Sequence, residues 1–238
     1  MNNTVNKGAV VCLGELLVRL STPRQVRFKQ ANNLDVCFGG SEANVAASLS
    51  QFGVDTVFCT GVPNNDLGES AIGFLKRFGV TVHARFVEDS RMGLYFLEHG
   101  AGHRGPKVLY DRMNSAFSQL ITSEWDWDEI YSGADWFHVS GISSAVSDNA
   151  ANATLFALEK ARRAGLTTSF DLNYRSQLWR YVCDPVEILR QHVDHVKVLI
   201  AGREDIQKCL NIDVDGSKDT DAYFENLAQK VMQEFPNI

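Results

Sequence analysis

Hydrophobic and polar residues follow two different periods along most of the chain. Continuous apolar runs are typical of strands that are buried on both faces of a parallel sheet. A run of this kind predicts a strand over residues 9–13, and we also predict strands over residues 54–62, 136–139, 167–172 and 197–201. Helix-like segments with capping residues lie between them, and we predict helices over residues 43–52, 67–78, 148–163, 185–193, 204–210 and 222–235.

The alternation of strands and helices predicts an α/β fold with right-handed crossovers and a mainly parallel sheet. One region departs from it, because residues 80–87, 93–98 and 107–112 have strand patterns without helices between them. We interpret these strands, with the irregular stretch 16–36, as a small antiparallel sheet that stands apart from the main one. The chain then divides into an α/β core (8–15, 37–80 and 119–238) and a β lid (16–36 and 81–118).

Two adjacent glycines, Gly39 and Gly40, stand where an apolar run ends and a helical segment begins. Glycines at such a junction allow a close approach of the backbone, because they have no Cβ. The first N–H groups of the helix lack intrahelical acceptors, so they can bind hydroxyl groups or anions. Glu42 and Asn44 add a carboxylate and an amide. The junction indicates either a site for a polyol or a plain tight turn with a helix start.

Three further segments carry candidate binding groups. Residues 171–175 (Asp-Leu-Asn-Tyr-Arg) lie at the carboxyl end of a predicted parallel strand, where ligands of α/β folds bind; a solvated loop is the alternative. Residues 140–144 follow the preceding strand, and their small side chains allow close approach to a ligand. On the small sheet, Tyr110 and Arg112 share a face that Tyr95 could join, which fits either a lid over an anionic ligand or ordinary cross-strand packing.

Two phosphate-binding motifs are absent from the sequence, namely GxxxxGK[ST] and a GxGxxG that follows a strand. We interpret His138 as a hydrogen-bonded core histidine. His192 and His195 are spaced three apart on a predicted helix, but the glutamate and third ligand of a zinc site are missing, so we expect them on the surface. We therefore predict no set of metal ligands.

The composition limits the class of partner. With 238 residues, 45% of them hydrophobic, the chain can form the core of one large domain. A net charge of −6 without a Lys/Arg cluster argues against nucleic acid or an anionic membrane as partner. Five cysteines without a CxxC pair, a polar start over residues 1–7 and no long apolar run predict a soluble, cytoplasmic protein with reduced, mostly buried thiols.

The pattern at the end of the sequence is unusual for a parallel sheet. The last predicted helix stops at Phe235, and Pro236 with Asn237 forms a turn before Ile238. Ile238 would begin another strand, and a sheet that ended there would keep an unpaired edge. We therefore expect this sequence to be the N-terminal portion of a longer chain.

Several short motifs occur in a fixed order across nearly the whole chain. They occupy residues 39–46 (Gly-Gly-Ser-Glu-Ala-Asn-Val-Ala), 93–96, 110–112 with 115–116, 140–142, and 170–175 with 178–179. This series resembles the ribokinase-like (PfkB) carbohydrate kinases. The Tyr-x-Arg and Asn-Tyr-Arg elements are similar to those of the branch that acts on keto-deoxy sugar acids. Each motif is weak alone, whereas the ordered series is specific.

The resemblance implies a three-layer α/β/α ribokinase-like (Rossmann-like) sandwich with a small β-sheet lid, through which two copies could form a homodimer. It implies an enzyme that uses ATP and Mg²⁺ to phosphorylate 2-keto-3-deoxygluconate, or a close sugar acid, to its 6-phosphate. The implied sugar-binding residues are Gly40, Ser41, Glu42, Ala43, Asn44, Tyr95, Tyr110, Arg112, Ile142 and Arg175. Asn173, Tyr174 and Arg175 would border the nucleotide. Arg112 and Arg175 suit a carboxylate, whereas a neutral sugar would leave these cations without an obvious partner.

The sequence departs from the family pattern in two places. The family's catalytic Asp, in a Gly-Ala-Gly-Asp motif, has no match, so we expect it beyond Ile238 and expect the chain as given to be inactive. The family's Asn-x-x-Glu segment, which helps to organise Mg²⁺, appears as Gly-Arg-Glu-Asp over residues 202–205. Two alternatives stay open: a kinase of a neutral sugar such as fructose or ribose, and a non-catalytic sugar-binding remnant if the chain truly ends at Ile238.

Overall fold

A computed structural model describes residues 8–181, 184–217 and 220–238. The polar start and Cys183, on which part of the compartment prediction depends, lie outside the described residues. The chain forms two compact units. The N-terminal unit is Cys12–Leu120, and the C-terminal unit is Met1–Val11 with Ile121–Ile238.

The elements follow the predicted alternation. In chain order, the strands of the described residues are β1 Ala9–Leu13, β2 Leu17–Ser21, β3 Asp35–Gly39, β4 Thr56–Pro63, β5 Thr81–Val87, β6 Gly93–Glu98, β7 Lys107–Asp111, β8 Ala134–Ser140, β9 Thr167–Asp171 and β10 Val198–Ile200. The α-helices are α1 Ser41–Gln51, α2 Asp66–Lys76, α3 Trp127–Ile130, α4 Gly141–Ser144, α5 Asp148–Arg163, α6 Pro185–Val193, α7 Arg203–Leu210 and α8 Asp221–Glu234. Short 3₁₀ segments cover Phe28–Gln30, Phe117–Gln119 and Thr122–Glu124.

The parallel strands of the N-terminal unit are the end of β1, then β4, then β5. Strand β5 pairs in parallel with β4, from Val57 opposite Thr81 to Pro63 opposite Val87. The interpretation of residues 80–87 as part of the small sheet is therefore wrong. Strand β5 is an edge strand, and its residues alternate between exposed and half-buried positions, which is why its sequence resembles that of a lid strand.

The small sheet has the strand order β3-β2-β6-β7. Strands β2 and β3 are antiparallel, as are β6 and β7, whereas β2 and β6 are parallel. The predicted antiparallel sheet is therefore a mixed sheet, and it extends to Gly39. The turn that joins β6 to β7 carries a reciprocal pair of backbone hydrogen bonds between Ala101 and Arg104, 3.0 Å each, as the glycine-rich sequence predicts.

The C-terminal unit contains parallel strands in the order β10-β9-β8, next to the start of β1. Strand β8 pairs with β9 from Trp136 opposite Thr167 to Ser140 opposite Asp171, so both strands end at the same level. Helices α5 and α6 begin and end at the predicted residues. The Ser147 side chain caps α5 by accepting from the Ala150 N–H at 3.1 Å, which confirms the predicted N-cap.

Each unit has a buried apolar core. Phe58, Leu75 and Phe117 are buried in the N-terminal unit, and Phe137 and Phe170 are buried in the C-terminal unit. Burial of such a side chain stabilises the fold by about 1.5–3 kcal/mol. Phe58, Phe137 and Phe170 lie on strands that the sequence pattern predicts, so the pattern identifies these core strands correctly. Among the described residues, no helix has both the length and the apolar character that crossing a bilayer requires.

Candidate ligand-binding site

The paired glycines lie at a strand-to-helix junction, as predicted. Strand β3 ends at Gly39, Gly40 is the N-cap of α1, and the helix begins at Ser41. A Cβ on Gly40 would lie 2.2 Å from the backbone carbonyl oxygen of Glu15. The glycine is therefore required by the close approach of the Glu15 backbone. The first turn of α1 carries Glu42, whose side chain is buried, and Asn44, whose side chain is exposed.

Glu15 forms a buried ion pair with Arg112. The Arg112 Nε donates to Glu15 Oε2 at 2.5 Å, and the two side chains are 3% and 1% exposed. Glu15 Oε1 lies against Gly93, where a Cβ would come within 2.2 Å of it. The expectation that a neutral sugar would leave Arg112 without a partner is therefore wrong, because Glu15 already balances its charge.

Sequence reasoning did not select Glu15. Its partner lies 97 residues away in the chain, and one acidic residue after a strand has no periodic signal. The informative feature was its position directly after the carboxyl end of a buried strand, since that end of a parallel sheet is where ligands bind.

Two adjacent rows of residues occupy the same face of the small sheet. Arg112 follows Asp111, which pairs with Leu94, so it continues the row of Gly93 and carries the ion pair with Glu15. The second row lies two residues further along the strands. It runs across the four strands in the order Cys37, Arg19, Tyr95 and Tyr110, and each residue is paired in register with the next. Residues two apart on a strand share a face.

The common side of Tyr95 and Tyr110 is confirmed by their register and by a ring separation of 6.5 Å. Arg112 and Tyr110 are also two residues apart, so the Tyr-x-Arg element brings both side chains to one face, as predicted. We name this face, with Arg19, Cys37, Gly93, Tyr95, Tyr110 and Arg112, the tyrosine face.

Three buried polar atoms at the tyrosine face have no hydrogen-bond partner. They are Glu15 Oε1, Arg112 Nη1 and Arg19 Nε. A buried donor or acceptor without a partner costs about 1–3 kcal/mol. One acceptor and two donors side by side are the complement of a polyhydroxyl compound, because each hydroxyl both donates and accepts. A compound with several hydroxyl groups would therefore supply partners for all three atoms.

In the C-terminal unit, the polar segment 171–175 lies at the carboxyl end of β9, as predicted. Asp171 accepts from the Asn173 N–H at 3.1 Å, and Asn173 has a left-handed backbone with a φ of 38°. Burial raises the pKa of the Asp171 carboxyl, and the Asn173 hydrogen bond and the nearby Arg175 oppose that rise. Arg175 itself is exposed, and its Nη1 donates to the Tyr174 carbonyl at 2.8 Å.

The segment 140–144 forms the short helix α4 instead of an open loop. A Cβ on Gly141 would lie 2.4 Å from the Leu172 carbonyl oxygen, and Ser143 and Ser144 are buried. Packing against Leu172 accounts for the glycine at position 141, and the approach of a ligand to residues 140–144 stays a prediction. Ile142, the residue assigned to the sugar by resemblance, is half-buried.

The histidines differ in how they match the sequence expectations. His138 is buried and its Nδ1 lies 2.8 Å from the Ser169 hydroxyl, which confirms a hydrogen-bonded core histidine. The expectation of a surface position is wrong for His192, which is 1% exposed. Its Nε2 lies 3.2 Å from the Ser144 hydroxyl and 3.1 Å from the Ala151 carbonyl oxygen. Burial lowers the pKa of both His138 and His192.

A magnesium ion would find oxygen ligands beside β9. Asp205 lies close enough to Asp171 to raise the pKa of that carboxyl, and carboxylates combined with substrate phosphates are the ligands that Mg²⁺ prefers. Glu204 is committed elsewhere, since it binds Lys208 at 3.0 Å. Within the described ranges, no three His, Cys, Asp or Glu side chains form a group that could hold a metal alone. The fit is therefore to Mg²⁺ bound together with a nucleotide.

The predicted site residues fall into two sets. Gly40, Ser41, Glu42, Ala43, Asn44, Tyr95, Tyr110 and Arg112 belong to the N-terminal unit, and Ile142, Asn173, Tyr174 and Arg175 belong to the C-terminal unit. Register and contacts bring Tyr95, Tyr110 and Arg112 together, and the Glu15 backbone lies against Gly40.

Comparison with known proteins identifies the family. The model of the pfkB family of carbohydrate kinases matches residues 7–235. The 2-dehydro-3-deoxygalactonokinase of Haloferax volcanii is 35% identical over 206 residues, which cover 87% of this chain and 64% of that protein. Fructokinase-2 of Solanum lycopersicum is 31% identical over 182 residues, with 75% of this chain and 54% of that protein covered.

A solved structure agrees over nearly the whole chain. The crystal structure of 2-dehydro-3-deoxygluconokinase from Thermotoga maritima superposes with a TM-score of 0.87 at 40% identity, covering 96% of this chain and 69% of that one. The ribokinase-like α/β fold is thereby confirmed. The chain spans about two thirds, 64%, of the length of the Haloferax volcanii relative. The protein belongs to the pfkB family of carbohydrate kinases.

Proposed function

We propose that the natural protein is an ATP-dependent kinase that phosphorylates 2-keto-3-deoxygluconate, or its close epimer, to the 6-phosphate. The observation that carries this proposal is the tyrosine face, where polar atoms that lack partners lie beside a buried Glu15–Arg112 pair. The similarity to kinases of 2-dehydro-3-deoxy sugar acids from two organisms supports the substrate class.

The sugar is bound by donors and acceptors at fixed positions. The start of α1 carries the proposed sugar-binding residues Gly40 to Asn44, and Tyr95 and Tyr110 offer side chains on two paired strands. Arg112 keeps one nitrogen, Nη1, for the ligand while Nε holds Glu15. Ile142 and Arg175, of the C-terminal unit, are the remaining residues that the resemblance assigns to the sugar. Groups held on paired strands and at a helix end orient a bound sugar for reaction.

The nucleotide is bound by residues of the C-terminal unit. Asn173, Tyr174 and Arg175 follow the carboxyl end of β9, where Asp171 with Asp205 suits Mg²⁺. ATP would supply the phosphoryl group, and Mg²⁺ would screen the charge of the phosphates. The exposed Arg175 guanidinium is available for a phosphate or carboxylate oxygen. None of the described residues is assigned as the base that removes the hydroxyl proton.

A neutral sugar is the second candidate substrate. The Glu15–Arg112 pair has no net charge, so this part of the site does not by itself require an acid. The similarity to a fructokinase supports the same alternative. The two candidate substrates differ in one contact. A sugar acid would place its carboxylate against a cation other than Arg112, whereas a neutral sugar has no carboxylate to place there.

A coupled assay with ATP on the natural protein tests the proposal. The substrates are 2-keto-3-deoxygluconate, 2-keto-3-deoxygalactonate, fructose and ribose. The proposal predicts a kcat/KM for at least one of the acids that exceeds those of both neutral sugars by about tenfold or more, since a charge-assisted hydrogen bond contributes about 1.5–3 kcal/mol. A higher kcat/KM for fructose or ribose would overturn the sugar-acid assignment and favour the second candidate.

We also infer a homodimer formed through the small sheet, in the cytoplasm. The face opposite the tyrosine face is apolar, with Val36, Leu20, Phe96 and Leu109 in one row of register pairs. Val36 is 63% and Leu109 45% exposed. Sedimentation of the natural protein and of Leu109→Glu tests the dimer, which predicts a monomer for the variant only. A monomeric natural protein would contradict it.

A further inference from the structure

Arg19 is a cation of the tyrosine face that neither the motifs nor the family resemblance assigns. It lies on β2, directly between Cys37 of β3 and Tyr95 of β6 in register. Its side chain is half-buried, and its Nε is fully buried without a hydrogen-bond partner. Burial raises the pKa of the Tyr95 hydroxyl, and both the charge of the Arg19 guanidinium and its hydrogen bond with the Tyr95 side chain oppose that rise. The two groups are therefore electrostatic neighbours.

Arg112 has a carboxylate partner that balances its charge, and Arg19 has none among the described ion pairs. Arg112 has Glu15 as its partner at 2.5 Å. Across the described part of the chain, no ion pair joins Arg19 to a carboxylate. The other buried carboxylate nearby, that of Glu42, lies against Gly14, where a Cβ would be 2.3 Å from its Oε2.

A half-buried guanidinium without a counter-ion costs free energy, because burial removes hydration from its charge and the neutral Tyr95 hydroxyl does not balance that charge. Surface arginines avoid this cost by extending into water. Arg19 instead keeps its Nε buried beside two tyrosines and next to the row of the Glu15–Arg112 pair. An anionic ligand at this place would balance the charge, and it would accept a hydrogen bond from the Arg19 Nε, which has no partner in the described part of the chain.

We infer that Arg19 is the specificity-determining residue that binds the carboxylate of the sugar acid on the tyrosine face, while the Glu15–Arg112 pair binds its neutral hydroxyl and carbonyl groups. The inference rests on the proposed function and deepens it, because it locates the charge selectivity. A bidentate guanidinium–carboxylate contact distinguishes an acid from a neutral sugar. The ion pair of Arg112 serves both kinds of sugar equally.

Calorimetric binding to the natural protein tests this assignment with a matched pair of ligands. One is 2-keto-3-deoxygluconate, and the other is the same sugar with a hydroxymethyl group in place of the carboxylate. The variants are Arg19→Gln, which removes the charge, and Arg19→Lys, which keeps the charge but loses the planar fork. Arg27→Gln is the matched control, since Arg27 is exposed and caps nothing with its side chain.

We expect Arg19→Gln to weaken binding of the acid about tenfold or more and binding of the hydroxymethyl analogue less than about threefold. Arg19→Lys should recover part of the affinity for the acid, and Arg27→Gln should bind both ligands as the natural protein does. Equal weakening of both ligands by Arg19→Gln would show a merely structural role and overturn the inference, as would no change for either.

The same titrations separate this inference from the proposed function. A natural protein that binds the acid no better than the hydroxymethyl analogue overturns the sugar-acid assignment and this inference together. A natural protein that prefers the acid, combined with an Arg19→Gln variant that keeps the preference, overturns only the role of Arg19. Thermal unfolding of each variant shows whether a lost affinity reflects lost folding.

Discussion

Glu15 and Arg112 each depend on the other, because either side chain alone would be a buried charge without a counter-ion. Both side chains are at most 3% exposed, and the Arg112 Nε donates to Glu15 Oε2. Glu15 also contributes its backbone carbonyl to the tight contact with Gly40. One residue thus links the end of β1 to the glycine junction and to the tyrosine face. Substitutions at these positions should therefore affect stability and binding together.

Glu15→Gln is expected to lower the free energy of unfolding by about 3–5 kcal/mol, because it leaves the Arg112 guanidinium buried and unpaired. Urea unfolding measures the loss. The double variant Glu15→Gln with Arg112→Met is the control, and it should be more stable than Glu15→Gln alone because it removes the uncompensated charge. A loss below about 1 kcal/mol in the single variant would show that the pair is not buried as described.

Gly40→Ala is expected to weaken sugar binding and stability, whereas Gly39→Ala should be tolerated. A Cβ at residue 40 would lie 2.2 Å from a backbone oxygen, and one at residue 39 would meet only the Asn44 side chain at 3.4 Å. The backbone clash should cost about 1–3 kcal/mol. Denaturant unfolding and sugar titration of the two neighbouring variants check this. Equal losses of stability and of sugar affinity in Gly40→Ala and Gly39→Ala would contradict the close approach of the Glu15 backbone to Gly40.

At the scale of elements, helices α2 and α6 contain residues that packing against neighbouring atoms explains and that helix propensity does not. Helix α2 contains two glycines, although glycine lowers helix stability. Gly68 lies against the Pro63 backbone, and Gly73 faces open space. Helix α6 carries a histidine, His192, on its buried side, where Leu189 and Val193 also lie. Each position gives a test confined to one element.

Gly73→Ala should stabilise the protein by about 0.5–1 kcal/mol, since alanine is the better helix former and nothing lies within 4 Å of its Cβ. Gly68→Ala in the same helix should destabilise it by about 1–3 kcal/mol, because its Cβ would lie 2.2 Å from the Pro63 carbonyl oxygen. Chemical denaturation of both variants measures the difference. Stabilisation by both substitutions would disprove the contact between Gly68 and Pro63.

Stability should fall as the pH is lowered from about 7.5 to 5.5. Burial lowers the pKa of His192 and of His138 in the folded state, while an unfolded histidine titrates near about 6.5. The unfolded chain then binds more protons in this window, so each histidine removes up to about 1.4 kcal/mol per pH unit below the unfolded pKa.

Thermal unfolding of His192→Gln across the same pH range checks this effect, and its pH slope should be smaller than that of the natural sequence. The control is His83→Gln, since His83 lies exposed on β5, and this variant should keep the full slope. A slope unchanged by His192→Gln would show that His192 is not held neutral by burial.

At the scale of the whole molecule, the sequence predicts elements that depend on local pattern. A continuous apolar run identifies β1, the alternation with helical segments identifies β4, β8, β9 and β10, and capping residues identify α5 and α6, because these signals lie within a few residues of each element. Helices α3 and α4 span only four residues each and leave no such signal.

Features that depend on distant residues were not predictable in this way. The membership of β5 in the parallel sheet is set by β4, and an edge strand of either sheet has the same alternating pattern. The ion pair of Glu15 joins residues 97 positions apart. The place of Arg19 in the row of Tyr95 and Tyr110 requires the register of four strands. The family motifs locate the site, whereas its charge balance requires the structure.

The most direct measurement is a crystal structure of the natural protein with 2-keto-3-deoxygluconate bound. We predict that the sugar lies on the tyrosine face, with hydroxyl groups at Arg112 Nη1 and at the side-chain hydroxyls of Tyr95 and Tyr110, and with the carboxylate at Arg19. A sugar acid bound away from Gly40, Tyr95 and Arg112 would contradict the account.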